Sequence, residues 1–278
     1  MTGKRSTPAV DGKSLVELLE TWGQVPSDPM LSEHTRVRLS EGQGLVLANG
    51  QPPDALITLV PGTGDAAGLV EIAGESVQSR RHAWEKASEE VFQLARDRGI
   101  CKIFVLDRDG FVSGGAEVDS VLRLSCQLSS ARQVDIGETA SDADLAQILD
   151  LNNRAFAGHP ENGNWSLTDL ALRLRQPWFR WDGLLLAREA GSVSGFCWTK
   201  IHPDGVGEIY VLAVHPERAG EGLGSSLVER GLSYLKSVTT ADEAIVYTSA
   251  GNDVARRLYD SLGFDVDRET RRLRFDSL

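Results

Sequence analysis

Glycines alternate at positions 220, 222 and 224 within "HPERAGEGLGSSLVERGL" (215–232), directly behind the apolar run "EIYVLAV" (208–214) and directly before a helical pattern. A strand, a glycine turn and a helix in that order suit a phosphate. Glycine lets the backbone approach a ligand without Cβ interference. The helix start adds unpaired N–H groups and a partial positive charge. The spacing Gly-x-Gly-x-Gly is not the dinucleotide fingerprint, since position 225 is Ser and position 227 is Leu, and no Gly-Lys-Ser/Thr follows to make a nucleotide P-loop. A plain glycine loop is the competing reading. At the head of the apolar run stands Glu208. A carboxylate there is costly to bury without a partner, and a raised pKa would suit a group that accepts a proton. The competing reading is a strand-end carboxylate facing water.

The surrounding periodicities supply the elements that must position these groups. In the second half, helices fit 141–158 and 166–176, strands 183–189, 192–201 and 207–214, a helix 224–237, a strand 243–249, a helix 252–262 and a last strand 264–275. The first half reads as a helix over 14–22, strands over 44–49, 54–60 and 68–74, a helix over 76–99 ended by Gly99, and strands over 100–107 and 121–129. The Gly- and Asp-rich stretch 107–120 reads as a loop, and 129–141 as the junction. Helix, strands, long helix and strand thus occur twice, so element order suggests a duplication that residue identity does not show. The expected fold class is α/β (α+β). The expected domains are 1–130 and 131–278, each a mixed, mostly antiparallel sheet flanked by helices.

Composition narrows the possibilities. The chain has 278 residues, 41% of them hydrophobic, and a formal net charge of −11. A non-specific nucleic-acid binder needs the opposite sign. No apolar run approaches bilayer length and the N-terminus has no signal-like apolar region, so a cytoplasmic protein is expected. Cys101, Cys126 and Cys197 form no Cys-x-x-Cys and are expected as small buried residues of strands. The histidines are His34, His82, His159, His202 and His215, and the last three precede proline and read as turn markers. No metal site is expected. Trp165, Trp178, Trp181 and Trp198 fit core packing, with sugar stacking as the alternative.

"VLAVHPERAGEGLGSSLVERGL" resembles the acyl-CoA motif of the GCN5-related N-acetyltransferase (GNAT) superfamily, with Gly222 and Gly224 at its glycine positions and Ala219 where Gln or Arg is usual. Arg218 stands beside it as a substitute pyrophosphate contact. "NDVARRLYDSLGF" (252–264) is equally typical of that superfamily. "NNRAFAGHPENGNW" (152–165), "GFCWTKIHPD" (195–204) and "GEIYVLAVHP" (207–216) are similar to its mycothiol-forming branch. Those are tandem acetyltransferases acting on the cysteinyl amine of cysteinyl-glucosaminyl-inositol. The resemblance covers nearly all of 141–278 and only the element order of 1–140.

The resemblance implies roles residue by residue. Glu208 would be the base toward the acceptor amine and Tyr259 the acid toward the acyl-CoA sulfur. Leu212, Ala213 and Val214 would pair with pantetheine and the acetyl group, with an oxyanion-hole N–H near Leu212. Ala219, Gly220, Glu221, Gly222, Leu223, Gly224 and Ser225 would wrap the pyrophosphate of acetyl-CoA. Asn252, Asp253, Val254, Ala255, Arg256 and Arg257 would add CoA contacts, Asn252 serving equally well as a helix N-cap. Tyr259 would share a helix face with Asn252, Ala255 and Arg256. Glu33, Glu161, Lys200, Glu208 and Tyr247 would contact the acceptor, a small-molecule amine. For Glu33 a solvated surface charge is the stronger competing reading. A monomer without nucleic-acid, membrane or metal partner is expected. Two alternatives stay open: another amine acceptor, such as an aminoglycoside or a peptide N-terminus, and a CoA-binding regulatory module without turnover. The first-half counterpart of the glycine turn, "GESVQSRRHAWEKASEEV" (74–91), has no glycine after Gly74. Residues 1–140 are therefore expected not to turn over acetyl-CoA and to complete the acceptor cleft instead.

Overall fold

The computed structural model describes residues 31–50, 53–62, 67–157 and 163–276. They fall into two compact units: the described residues up to Ser120 together with those from Thr270 onwards, and Val121–Glu269. The boundaries lie inside two strands rather than in the stretch 129–141. The first is crossed within Ala116–Cys126, and the second within Asp265–Asp276.

In the first unit the strands are β1 (Leu45–Gly50), β2 (Pro53–Pro61), β3 (Ala67–Gly74) and β4 (Lys102–Asp107), with the end of β11 (Asp265–Asp276) beside β4. β1–β2, β2–β3 and β4–β11 pair antiparallel, and β3–β4 pair parallel. The parallel pair needs a crossover, which helix α2 (Val77–Asp97) provides; α1 is the short helix Glu33–Ser40. Ala83, Trp84, Val91 and Ala95 form the stripe by which α2 covers Ile57, Val70, Ile103 and Val105. The helix α1 has no apolar stripe in "EHTRVRLS", which is why periodicity misses it. Its start is tied down from outside, by Glu71 accepting from Ser32 N and Oγ at 3.0 and 2.9 Å. The expected helix 14–22 lies outside the described residues.

In the second unit the strand order is β5-β10-β9-β8-β7-β6: β5 (Ala116–Cys126), β6 (Glu138–Thr139), β7 (Leu184–Glu189), β8 (Ser192–Ile201), β9 (Gly207–Val214) and β10 (Ala244–Ser249). β5 begins five residues inside the expected loop 107–120 and ends at Cys126, where a 3-10 turn replaces the rest of the expected strand. Apolar alternation sorts the two faces. Leu184, Leu186, Phe196 and Trp198 face α3 (Leu145–Ala155) and α4 (Leu167–Leu174). Leu185, Cys197 and Ile209 face α5 (Leu223–Val238) and α6 (Asp253–Ser261). Burial of a single large side chain such as Trp198 or Phe196, both 0% exposed, is worth about 1.5–3 kcal/mol. These two packed layers hold the strands that carry the site.

Two irregularities matter. Trp198 pairs with Val211 while Thr199 pairs with Ile209, so Tyr210 is an extra residue in β9. Such a bulge re-aims side chains: Glu208 and Tyr210 precede the shift, and Val211 and Ala213 follow it on the α3–α4 face. The second irregularity is a splay. β10 pairs with β9 at Ala244↔Gly207 and Ile245↔Glu208 and then departs, continuing against β5 to Ser249.

Candidate functional site

The glycine turn is built as a helix start. Gly220 and Gly222 have φ of +84° and +82°, and a Cβ at either would meet nothing within 4 Å. Both glycines thus answer a backbone requirement in a left-handed conformation, not crowding. Gly222 is the N-cap of α5 and brings no side chain to the first amides, so the helix opens with donors and dipole uncovered. Gly224 differs: a Cβ there would lie 3.0 Å from Leu258 Cδ1 and 3.7 Å from Val214 Cγ2. It lets α5 sit close to β9 and α6. This turn passes the test for a diphosphate: open amides and no Cβ in the way. Arg218 is paired with Glu189 and Glu221, each at 2.9 Å; these carboxylates compete for the guanidinium expected to serve the phosphate.

Glu208 is buried, 6% exposed, at the last position where β10 accompanies β9. It does not face water. Lys200 is its cross-strand partner, with Nζ 3.8 Å from Oε2, and His202 Nε2 lies 2.6 Å from the same oxygen. Lys200 and His202 are buried too. The Lys200 ammonium stands 5.0 Å from the ring centre of Trp178 and 5.3 Å from that of Tyr210, and such faces attract a cation. Arg173 donates from Nε to Tyr210 Oη at 3.1 Å while its guanidinium covers Trp165 at 4.1 Å. Trp165 and Trp198 are buried core residues, with Trp178 and Trp181 packed against them. The carboxylate is therefore held by a buried basic pair beside an aromatic wall. This arrangement can accept a proton from a cationic amine.

Tyr259 comes from the other face. It belongs to the core under α5 and α6, and its ring meets Phe264 edge-on at 5.5 Å. Burial, and secondarily the neighbouring Cys197, push the phenol above its ordinary value, so it is a protonated donor at neutral pH. Cys197 is itself pushed up to about 12 by burial. Ala255 shares the packed face of α6, whereas Arg256 is exposed and turned back to Asp253 and the Ala250 carbonyl. The expectation that Arg256 shares the tyrosine face is corrected: a position three residues away on a nine-residue helix falls outside its narrow buried stripe. Asn252 is the N-cap of α6, its Oδ1 accepting from Ala255 N at 3.1 Å.

Other expected residues separate. Leu212 and Val214 pack partly buried on the α5–α6 face, and Ala213 is buried on the opposite one. Tyr247 is 38% exposed on β10 two residues beyond Ile245, whose register partner is Glu208, so the two side chains share a face of the sheet. Glu161 lies outside the described residues, and Glu33 opens α1. Cys126 and Cys197 are buried, but Cys101 is exposed; it precedes β4 instead of lying in it. The sequence reading missed His202, taken as a turn marker, and also Tyr210 and Arg173. The signal available for His202 was the alternation Lys200-x-His202 running into a short turn before Glu208.

The first unit treats the matching place differently. Ser76 caps α2, accepting from Ser79 N at 3.0 Å while Ser79 Oγ accepts from Ser76 N. This capping box occupies the hydroxyl and amides that a phosphate would need. Arg80 folds back onto the Gly74 carbonyl and forms a two-point pair with Asp109.

Residues 145–264 match the acetyltransferase (GNAT) family profile. The chain is 49% identical over 131 residues to a mycothiol acetyltransferase of Acidimicrobium ferrooxidans, covering 45% of this chain and 41% of that protein. It is 39% identical over 144 residues to one of Mycolicibacterium gilvum, covering 50% and 48%. The matched stretch thus spans less than half the length of these relatives. Among solved structures, a tandem GNAT protein from the clavulanic acid biosynthesis pathway superposes with a TM-score of 0.66 at 13% identity, covering 96% of this chain and 95% of that one. A GCN5-related N-acetyltransferase from Sphaerobacter thermophilus gives 0.63 at 15% identity, covering 97% and 92%. These two likenesses concern the fold.

Proposed function

We propose that the chain, whose residues 145–264 match the acetyltransferase (GNAT) family profile, transfers acetyl from acetyl-CoA to the cysteinyl amine of cysteinyl-glucosaminyl-inositol. The acceptor is suggested by the mycothiol acetyltransferases that the second unit matches. The observation that carries the reading is the buried carboxylate of Glu208 at the point where β10 leaves β9.

Acetyl-CoA supplies the acetyl group as an activated thioester. The amides from Ala219 to Ser225 would hold its diphosphate, helped by the start of α6 from Asn252 to Arg257. The β9 backbone over Leu212, Ala213 and Val214, which β10 no longer accompanies, would pair with the pantetheine. Glu208 accepts a proton from the acceptor ammonium, freeing the nitrogen lone pair. Tyr259 gives a proton to the departing sulfur. The nitrogen loses two protons in all and the sulfur gains one, so one proton is released to water per turnover. Lys200 and Tyr247 would address the acceptor, as would Glu161. In the first unit the closed start of α2 argues that acetyl-CoA is not held there.

Release of free thiol from acetyl-CoA, followed with cysteinyl-glucosaminyl-inositol beside an aminoglycoside and a peptide N-terminus, tests the proposal. Amine-dependent release that is fastest with the first acceptor supports it. Preference for another amine overturns the acceptor, and no release with any amine overturns the activity. Among the described residues no helix is long and apolar enough to cross a membrane.

A further inference from the structure

We infer that His202 positions the Glu208 carboxylate, donating from Nε2 to Oε2 so that the base is held in one orientation toward the acceptor amine. This rests on the acetyl-transfer reading above. The two groups come from opposite ends of a hairpin. β8 ends at Ile201, the His202 amide donates to the Val206 carbonyl at 2.9 Å, and β9 starts at Gly207. The His–Pro step and Gly205, at φ +85°, make the reversal tight enough to bring residues six apart within 2.6 Å. The imidazole is 4% exposed and the carboxylate 6%, so a mobile water cannot replace the contact at little cost.

Other charged groups stand around the same carboxylate and its turn. Lys200 addresses the same Oε2 from 3.8 Å, beyond hydrogen-bond distance, and its ammonium also lies by the Trp178 and Tyr210 rings. Arg173 reaches this wall through the Tyr210 hydroxyl. Asp204 accepts the Val206 amide within the turn, and the Glu243 carbonyl receives the Gly207 amide ahead of β10. His202 makes a short directional contact to this carboxylate, at 2.6 Å. It also dictates the ring's state: Nε2 must carry hydrogen, in either the neutral ring or the imidazolium.

His202→Leu removes the donor at similar bulk, while His202→Gln places an amide N–H near the Nε2 position. Thiol release should fall about 10- to 100-fold in the leucine variant, the value of one hydrogen bond to a charged group. The KM for acetyl-CoA should stay within about twofold, since this coenzyme is held elsewhere. The acidic limb of its pH–rate profile should move upward, because the carboxylate has lost a donor that favours its charged form. The glutamine variant should regain most of the rate and the original limb. Equal impairment of both variants with an unmoved limb would reduce His202 to a packing role and overturn the inference, as would normal turnover in the leucine variant. A wild-type chain inert toward every amine would sink the acetyl-transfer reading itself. The ring's ¹⁵N resonances separate that failure from a geometric one: an Nε2–H signal that shifts on Glu208→Gln shows the contact whether or not the chain turns over.

Discussion

Substituting Glu208 by Gln keeps the shape and removes the charge, and the structure allows two consequences to be separated. Oε2 stands 2.6 Å from His202 Nε2 and 3.8 Å from Lys200 Nζ, with all three side chains nearly buried. Removing one member of a buried ion pair costs about 3–5 kcal/mol. The amide retains an acceptor oxygen for the histidine, which lowers the expected loss to about 1–3 kcal/mol. In a chain of this size that is a fall in Tm of roughly 2–4 °C per kcal/mol. Loss of a general base should lower turnover by about 10²- to 10⁴-fold. Lys200→Met added to Glu208→Gln should recover part of the stability, because the ammonium 3.8 Å from the altered group is gone as well, yet turnover should stay low. Thermal denaturation and thiol release on the same samples give both numbers, and calorimetry with acetyl-CoA should show affinity near wild type. Near-normal turnover in Glu208→Gln would refute the assignment of the base. Turnover returning together with stability in the double variant would show that the single change acted through folding.

Tyr259→Phe should leave the fold as stable as wild type, since the ring keeps its Phe264 contact, and should cut thiol release by about 10²-fold; a loss confined to KM would contradict the acid role. Because burial raises the phenol, its ionisation should not depress wild-type turnover between roughly pH 7 and 9. By the same sign, its stabilising contribution is complete below the ordinary tyrosine value near 10 and is lost only as pH climbs beyond it through the raised one. A pH–rate profile with a tyrosine-dependent fall inside that window would be inconsistent. Gly222→Val should cost about 1–2 kcal/mol for a side chain at φ +82° and weaken acetyl-CoA binding at least tenfold by calorimetry, whereas unchanged affinity would remove the turn from the site.

How much was legible depended on whether the relevant period was local. Leu184, Leu185 and Leu186 alternate between two cores, and Phe196, Cys197 and Trp198 do the same; strand alternation reads directly from the chain. The turn at Gly220 and Gly222 was visible because positive φ leaves a compositional mark. Helix α1 was not, because its hold comes from Glu71, 39 residues away. Nor was the return of residues 271–276 to β4, since an antiparallel pairing over more than 160 residues leaves no local signal. Glu208 stands out in the sequence by its odd place at the head of an apolar run, whereas the histidine beside it does not. That contact depends on the turn between β8 and β9, which sets Ile201 against Gly207 and Lys200 against Glu208, and a turn's closure leaves little mark on the residues it brings together. Tyr259 followed from resemblance, and its burial turned out to serve packing and protonation together.

The central claim is that the amides from Ala219 to Ser225 grip a coenzyme diphosphate while the thioester end runs along β9 toward Glu208. A crystal structure of the chain with acetyl-CoA tests it most directly. The account predicts the diphosphate against the start of α5, pantetheine along Leu212–Val214 on the side β10 vacates, and none of the coenzyme at the start of α2. A coenzyme seated at α2, or side chains filling the turn at α5 and excluding it, would contradict the account.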